Sequence, residues 1–186
     1  MAQPTEAIAL SPDDLRAVAG FAAACAQDVL EVFERAHPLD ARPRDAIEAA
    51  WAFARGGKRG KALRDAAWAA LRAAGEAEAA GGETNRAAAG AAARAAMSAA
   101  SAAYLHPLPN ADQVKHILGA AAYAARAAEL AAGDDRAIGD RYLELALARA
   151  KPALVEVLLR YPAAPAGGGR VGELLRDLDH GLRGRR

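Results

Sequence analysis

One cysteine, few aromatics and no excess of either charge: this chain is defined first by what it has little of. Aromatics make up 5% of its 186 residues although 53% are hydrophobic, and mean hydropathy is close to zero (−0.05), so the apolar excess is alanine. The lone Cys25 has no partner for an internal disulfide, which excludes a disulfide-stapled secreted scaffold and predicts a reducing, cytoplasmic setting. With 24 basic against 23 acidic residues the net charge is +1, unlike the distinctly basic domain of a dedicated nucleic-acid binder. The alanine tract from Ala87 to Ala103 contains Arg94 and two serines and almost no large aliphatic side chain, which makes it too weakly apolar for a membrane span. The opening MAQPTEAIALSPDD lacks a basic start followed by an apolar run, so no signal peptide is expected. No stretch shows strand-like alternation.

Alanine is the strongest helix former and lets helices approach closely, and the breaks between alanine-rich segments are plain. Ser11 is placed to cap a first helix, with Pro12 at its first position and Asp13 and Asp14 in its positive first turn. Leu15, Val18, Ala22, Cys25, Val29, Val32 and Phe33 then form one apolar stripe about six turns long, ending before Pro38. Pro43 opens a second helix with Ala46, Ile47, Ala50 and Trp51 inward and an exposed Arg44/Glu48 pair. A third runs from about Lys61 to Ala74, with Trp68 covering its edge. After Gly81 and Gly82, Thr84 is placed to cap a fourth, buried helix running to about Tyr104. Pro107 and Pro109 then interrupt, and Asn110, with Gln113 three residues on, is placed to cap a central helix carrying Val114, Ile117, Leu118 and Ala121. Two more helices, about Arg136 to Ala150 and Pro152 to Tyr161, precede the linker YPAAPAGGGR and a closing stripe of Val171, Leu174, Leu175, Leu178 and Leu182, with the RGRR tail expected to fray. The expectation is all-α: a single-domain alanine-rich bundle or irregular array of about seven to eight helices, with residues 1–162 as the helical domain and 163–186 as a linker and amphipathic helix packed on it.

Catalytic constellations are absent from the pattern. There is no HExxH, no paired CxxC, no GxSxG, no P-loop and no pair of ExxH motifs, so no catalytic residue, metal or cofactor is assigned. Cys25 lies within an apolar stripe, which predicts a buried, inert thiol, and Trp51 and Trp68 are read as core or core-edge. His37 and His106 each precede a proline at a helix end, where a free backbone carbonyl is the expected partner; Asp112 is the expected partner of His116. An enzyme or ligand-binding reading would instead converge all three histidines on a pocket lined by Tyr104 and Tyr123. The run ARGGKRGKALR concentrates Arg55, Lys58, Arg59, Lys61 and Arg64, a solvated connection or a surface for an acidic partner; nucleic acid is the weaker alternative without interleaved aromatics. In HPLDARPR, Asp40 is placed to cap the next helix or to pair with Arg42 or Arg44.

The segments CAQDVLEVFERAHPLDARPRDAIEAAWAFARG, KALRDAAWAALRAA and HILGAAAYAARAAELAAGDD together resemble the bacterial immunity proteins of the Imm-5-like family. Asp40, Arg42, Pro43, Arg44, Ala46, Ile47 and Glu48 stand in a D-x-RPR-x-AIEAA pattern, and His116, Leu118, Gly119, Ala120, Ala121, Tyr123 and Ala124 in an H-x-LGAA-x-YA pattern. The resemblance covers about residues 12–132; the two prolines before His116 and the added C-terminal helix depart from it. It implies a cytoplasmic, non-catalytic protein that binds a cognate toxin domain and blocks it by occlusion. Its anchors are expected on the two irregular loops and the basic connection: Asp40, Arg42, Arg44, Arg55, Lys58, Arg59, His106 and His116.

Overall fold

The computed structural model describes residues 7–80 and 83–184. Among these are nine α-helices and no strand: α1 (Pro12–Gln27), α2 (Leu30–Ala36), α3 (Arg42–Ala54), α4 (Lys61–Ala79), α5 (Glu83–Ser101), α6 (Val114–Ala131), α7 (Arg136–Arg149), α8 (Pro152–Leu159) and α9 (Gly169–Arg183). The all-α expectation holds, with nine helices in place of seven to eight.

The additional helix comes from the first apolar stripe, which is broken in two. Ser11 and Asp14 form the expected reciprocal cap on α1. The helix stops at Asp28, and Val29 adopts a non-helical φ of −119° before α2 begins. Asp28 is held at this break by Arg149 at the end of α7, with Nη1 to Oδ2 at 2.7 Å. Val18, Ala22, Cys25, Val29 and Phe33 stay buried across the break, so the stripe survives while the helix does not.

The alanine tract forms α5, which packs against α1, α2, α3, α4 and α6. Its small side chains leave Ala89, Ala93, Ala95, Ala96, Ala99 and Ala100 fully enclosed, and α6 lies beside it with Ile117, Leu118 and Ala125 equally enclosed. Two alanine-rich helices at the centre gain contact by close approach and not by large side chains. α7 and α9 pack on α6, and α8 on α1 and α9, with Leu174, Leu178 and Leu182 of α9 buried where α9 meets α6, α7 and α8.

Several local expectations are corrected. α4 continues to Ala79, five residues past Ala74, and α5 already begins at Glu83, ahead of Thr84; Gly81 and Gly82 lie outside the described residues. Asn110 caps a short 3₁₀ turn, Ala111–Gln113, accepting from Asp112 N–H at 2.9 Å; Gln113 reaches back instead to His106 N–H. Arg44 pairs with Glu34 across the loop at 2.5 Å and not with Glu48. Of the tail, Arg183 is anchored to Asp179 and to the Leu158 and Pro162 carbonyls; Arg185 and Arg186 lie outside the described residues. The linker before α9 turns through Gly167, Gly168 and Gly169, all at positive φ, a conformation that side-chain-bearing residues adopt only under strain.

Candidate partner-docking surface

The loop between α2 and α3 is internally braced. Asp40 accepts the backbone N–H of Arg42 at the start of α3 and also takes that guanidinium in two bonds, Nε to Oδ1 at 2.9 Å and Nη2 to Oδ2 at 2.6 Å. The same Arg42 reaches Glu76 near the end of α4. These bonds, to Asp40 first and Glu76 second, hold Arg42 firmly protonated, while Arg42 depresses the Asp40 carboxyl below its usual range. With Arg44 paired to Glu34, the three charged residues brace the joint between α2, α3 and α4, and Leu39 between them is left fully exposed. His37 lies against Phe33, ring centroids 4.9 Å apart, in place of the expected side-chain contact with a carbonyl.

At the other end of α4, the basic connection is stapled to the turn that follows α5. Arg59 donates to the Ala103 carbonyl at 3.0 Å and Tyr104 donates its hydroxyl to the Gly60 carbonyl at 2.8 Å. The guanidinium groups of Arg59 and Arg64 lie 5.7 and 5.3 Å from the Tyr104 ring centre, within cation–π range. Lys61 pairs with Asp65, whereas Arg55 and Lys58 are exposed without an ion pair among the described residues. Arg42 meets Glu76, 15 residues beyond Lys61, so the two groups of expected anchor residues are separated by about 22 Å of helix at the usual rise.

Beside the basic connection, Met97 and Ser101 of α5 and His116 of α6 are shared by two adjoining depressions. The smaller, about 170 Å³, is completed by Arg64, Trp68, Leu71 and Tyr104. The larger, about 390 Å³, continues over Lys115, Gly119 and Tyr123 to Val171 and Leu175 of α9. Trp68 corrects the core-edge expectation: it is 57% exposed at the groove's rim. On α4 it stands about 130° round the helix from the middle of the buried stripe of Leu63, Ala67, Ala70 and Ala74. Trp51, by contrast, is half-buried at the core edge.

His116 is half-buried in this groove, and burial pushes its pKa below the ordinary value; a hydrogen bond to the Ser101 carbonyl opposes this, and the nearby charge of His106 adds to it. The shift favours the neutral imidazole. Asp112 pairs with Lys115 at 2.7 Å and not with His116. His106 is exposed on its loop, its carbonyl accepting from the Tyr161 hydroxyl at 2.7 Å. The structure thus brings His106 and His116 near one another, with Tyr104 and Tyr123 on either side of His116, while His37 lines a separate open depression with Leu39 and Asp40. No carboxylate lines the His116 groove to orient the imidazole, and no metal-binding cluster of His, Cys, Asp or Glu occurs among the described residues. Cys25 is buried, and desolvation pushes its thiol up to about 11 against the opposing effect of Arg149. No helix among the described residues is long and apolar enough to cross a membrane.

One feature had no herald in the sequence pattern: Glu129 is a wholly buried carboxylate within the alanine face of α6, bonded by Arg126 and by Arg170 of α9.

In comparison with known proteins, the sequence model of one family, described as Imm-5 like putative immunity protein, matches residues 9–149. A family of this kind is generally non-catalytic. No curated protein and no solved structure matches the chain.

Proposed function

We propose, for a chain that belongs to the Imm-5 like immunity protein family, that it acts in the cytoplasm by binding a cognate bacterial toxin domain and neutralising it by occlusion. The observation that supports this reading best is Trp68. A tryptophan more than half exposed at the rim of an apolar groove, with Arg59 and Arg64 beside it on Tyr104, combines the two residue types that dominate binding energy at protein interfaces.

The docking face is centred on that groove. Trp68 supplies the apolar anchor; Arg55, Lys58, Arg59, His106 and the groove face of His116 supply the polar surround. Asp40, Arg42 and Arg44 contribute through the rigidity of their loop, which holds Leu39 outward and lowers the entropic cost of ordering it at binding. A complex of standard size would bury about 1,600 Å² in total.

The test is affinity capture from the native cell's lysate at two salt concentrations, in parallel with wild type and Trp68→Ala. The expected result is one stoichiometric protein retained at moderate salt by wild type, lost with Trp68→Ala, and toxic when expressed unless this chain is co-expressed. Retention of salt-sensitive nucleic acid alone would overturn the reading in favour of the basic patch acting on a phosphate backbone.

A further inference from the structure

A separate cavity of about 500 Å³ lies between α1, α3 and α8, away from the residues of the Trp68 groove. Its apolar lining includes Phe21, Trp51 and Leu154. Four cations line it as well: Arg16, Arg55, Arg149 and Lys151. No acidic residue does.

The charge is only partly met from outside. Arg149 is paired with Asp28, and Arg16 with Asp13, which is itself 88% exposed. Arg16 Nε is buried without a hydrogen-bond partner among the described residues. Arg55 and Lys151 form no ion pair there at all. An apolar concavity of this size, bounded by unneutralised cations, is complementary to a ligand with an apolar body and an acidic head. Arginine is suited to the head because its planar donors bind a carboxylate in two parallel bonds, and a nearby lysine adds a mobile point charge.

We propose that the α1/α3/α8 cavity is a binding site for a small amphipathic organic anion, with an aromatic or aliphatic body against Trp51 and Leu154 and a carboxylate between Arg55 and Lys151. The cavity has no lining residue in common with the Trp68 groove, and Arg55 is its one link to the basic connection. Its residues are scattered over positions 16 to 154, which is why no local motif announces it.

The probe is 4-phenylbutyrate, compared with the neutral 4-phenylbutanol, titrated into the full chain and followed by the Trp51 indole resonance. That resonance is identified by its persistence in Trp68→Phe. The acid is expected to bind saturably and at least tenfold more tightly than the alcohol, with a preference that shrinks as salt is raised. In Arg55→Gln/Lys151→Gln the preference should fall to below threefold with the thermal midpoint unchanged, since neither exposed side chain holds the fold together. Equal affinity for acid and alcohol, or no saturable shift of Trp51 below about 10 mM, overturns the proposal; the wild-type comparison decides this even if the double variant folds poorly.

Discussion

Glu129 Oε1 lies 2.6 Å from Arg170 Nη2, and the carboxylate that makes this bond is wholly buried. Arg126 bonds the other oxygen at 2.8 Å and also reaches Asp134. The contact joins α6 to α9, and Gly139 of α7 permits it: a Cβ there would overlap the Glu129 side chain. A buried pair of this kind contributes little net stability while intact, but breaking one side strands the other charge.

Glu129→Ala is therefore expected to destabilise the protein by about 1–3 kcal/mol, because both arginines lose their buried acceptor while Arg126 keeps Asp134 and Arg170 keeps Glu173. Urea unfolding followed by circular dichroism measures it. Gly139→Val should be destabilising for the complementary reason, by forcing the carboxylate away from Arg170. A loss below about 1 kcal/mol in Glu129→Ala would show that water replaces the carboxylate cheaply.

Residues 163–186 are expected to fold as part of the same domain as the helices before them. Leu174, Leu178 and Leu182 are fully enclosed, and burying each contributes roughly 1.5–3 kcal/mol. A chain ending at residue 162 should lose these contacts along with Arg170, and melt at a markedly lower temperature or aggregate, whereas the intact chain should unfold in one calorimetric transition. Two resolved transitions, or an unchanged midpoint after truncation, would contradict a single domain.

Acid should destabilise the fold through His116 in a defined window. Its folded pKa is lowered by burial, so the unfolded chain takes up a proton that the folded chain resists. Stability contributed by the neutral imidazole is present above the unfolded value of about 6.5 and is lost as pH falls from there towards the folded pKa. His116→Gln should flatten the fall in stability between pH 7.5 and pH 5.5, measured by urea unfolding at both values. An equally steep fall in the variant would assign the dependence to other groups.

Cys25 should be inert in the native state. Its thiol is buried and raised to about 11, so the thiolate that reacts is scarce at pH 8. A thiol-exchange reagent such as DTNB is expected to label it only after denaturation; stoichiometric labelling of the folded protein within seconds would reveal an opening that exposes α1.

The start of α1 was readable because Ser11, Pro12 and Asp14 act within one turn, and their bonds are the ones a sequence spells out. The Asp40 and Arg42 pairing was readable for the same reason, two residues apart; its extension to Glu76 was not. The break at Asp28 escaped the pattern because Arg149, which holds it, lies 121 residues away. His116 was visible as a candidate, but its groove is assembled with Met97, Trp68 and Leu175 from three other helices.

What the sequence determined by itself is the all-α character, most helix boundaries, and the stripes that face inward, because capping and periodicity are governed by neighbours within a few residues. What only the tertiary structure decided is which charges meet and which cavities remain. An alanine surface specifies close approach but not a particular partner, so the placement of Arg170 on Glu129, the outward turn of Trp68 and the cationic cavity at Trp51 depend on how the helices finally pack.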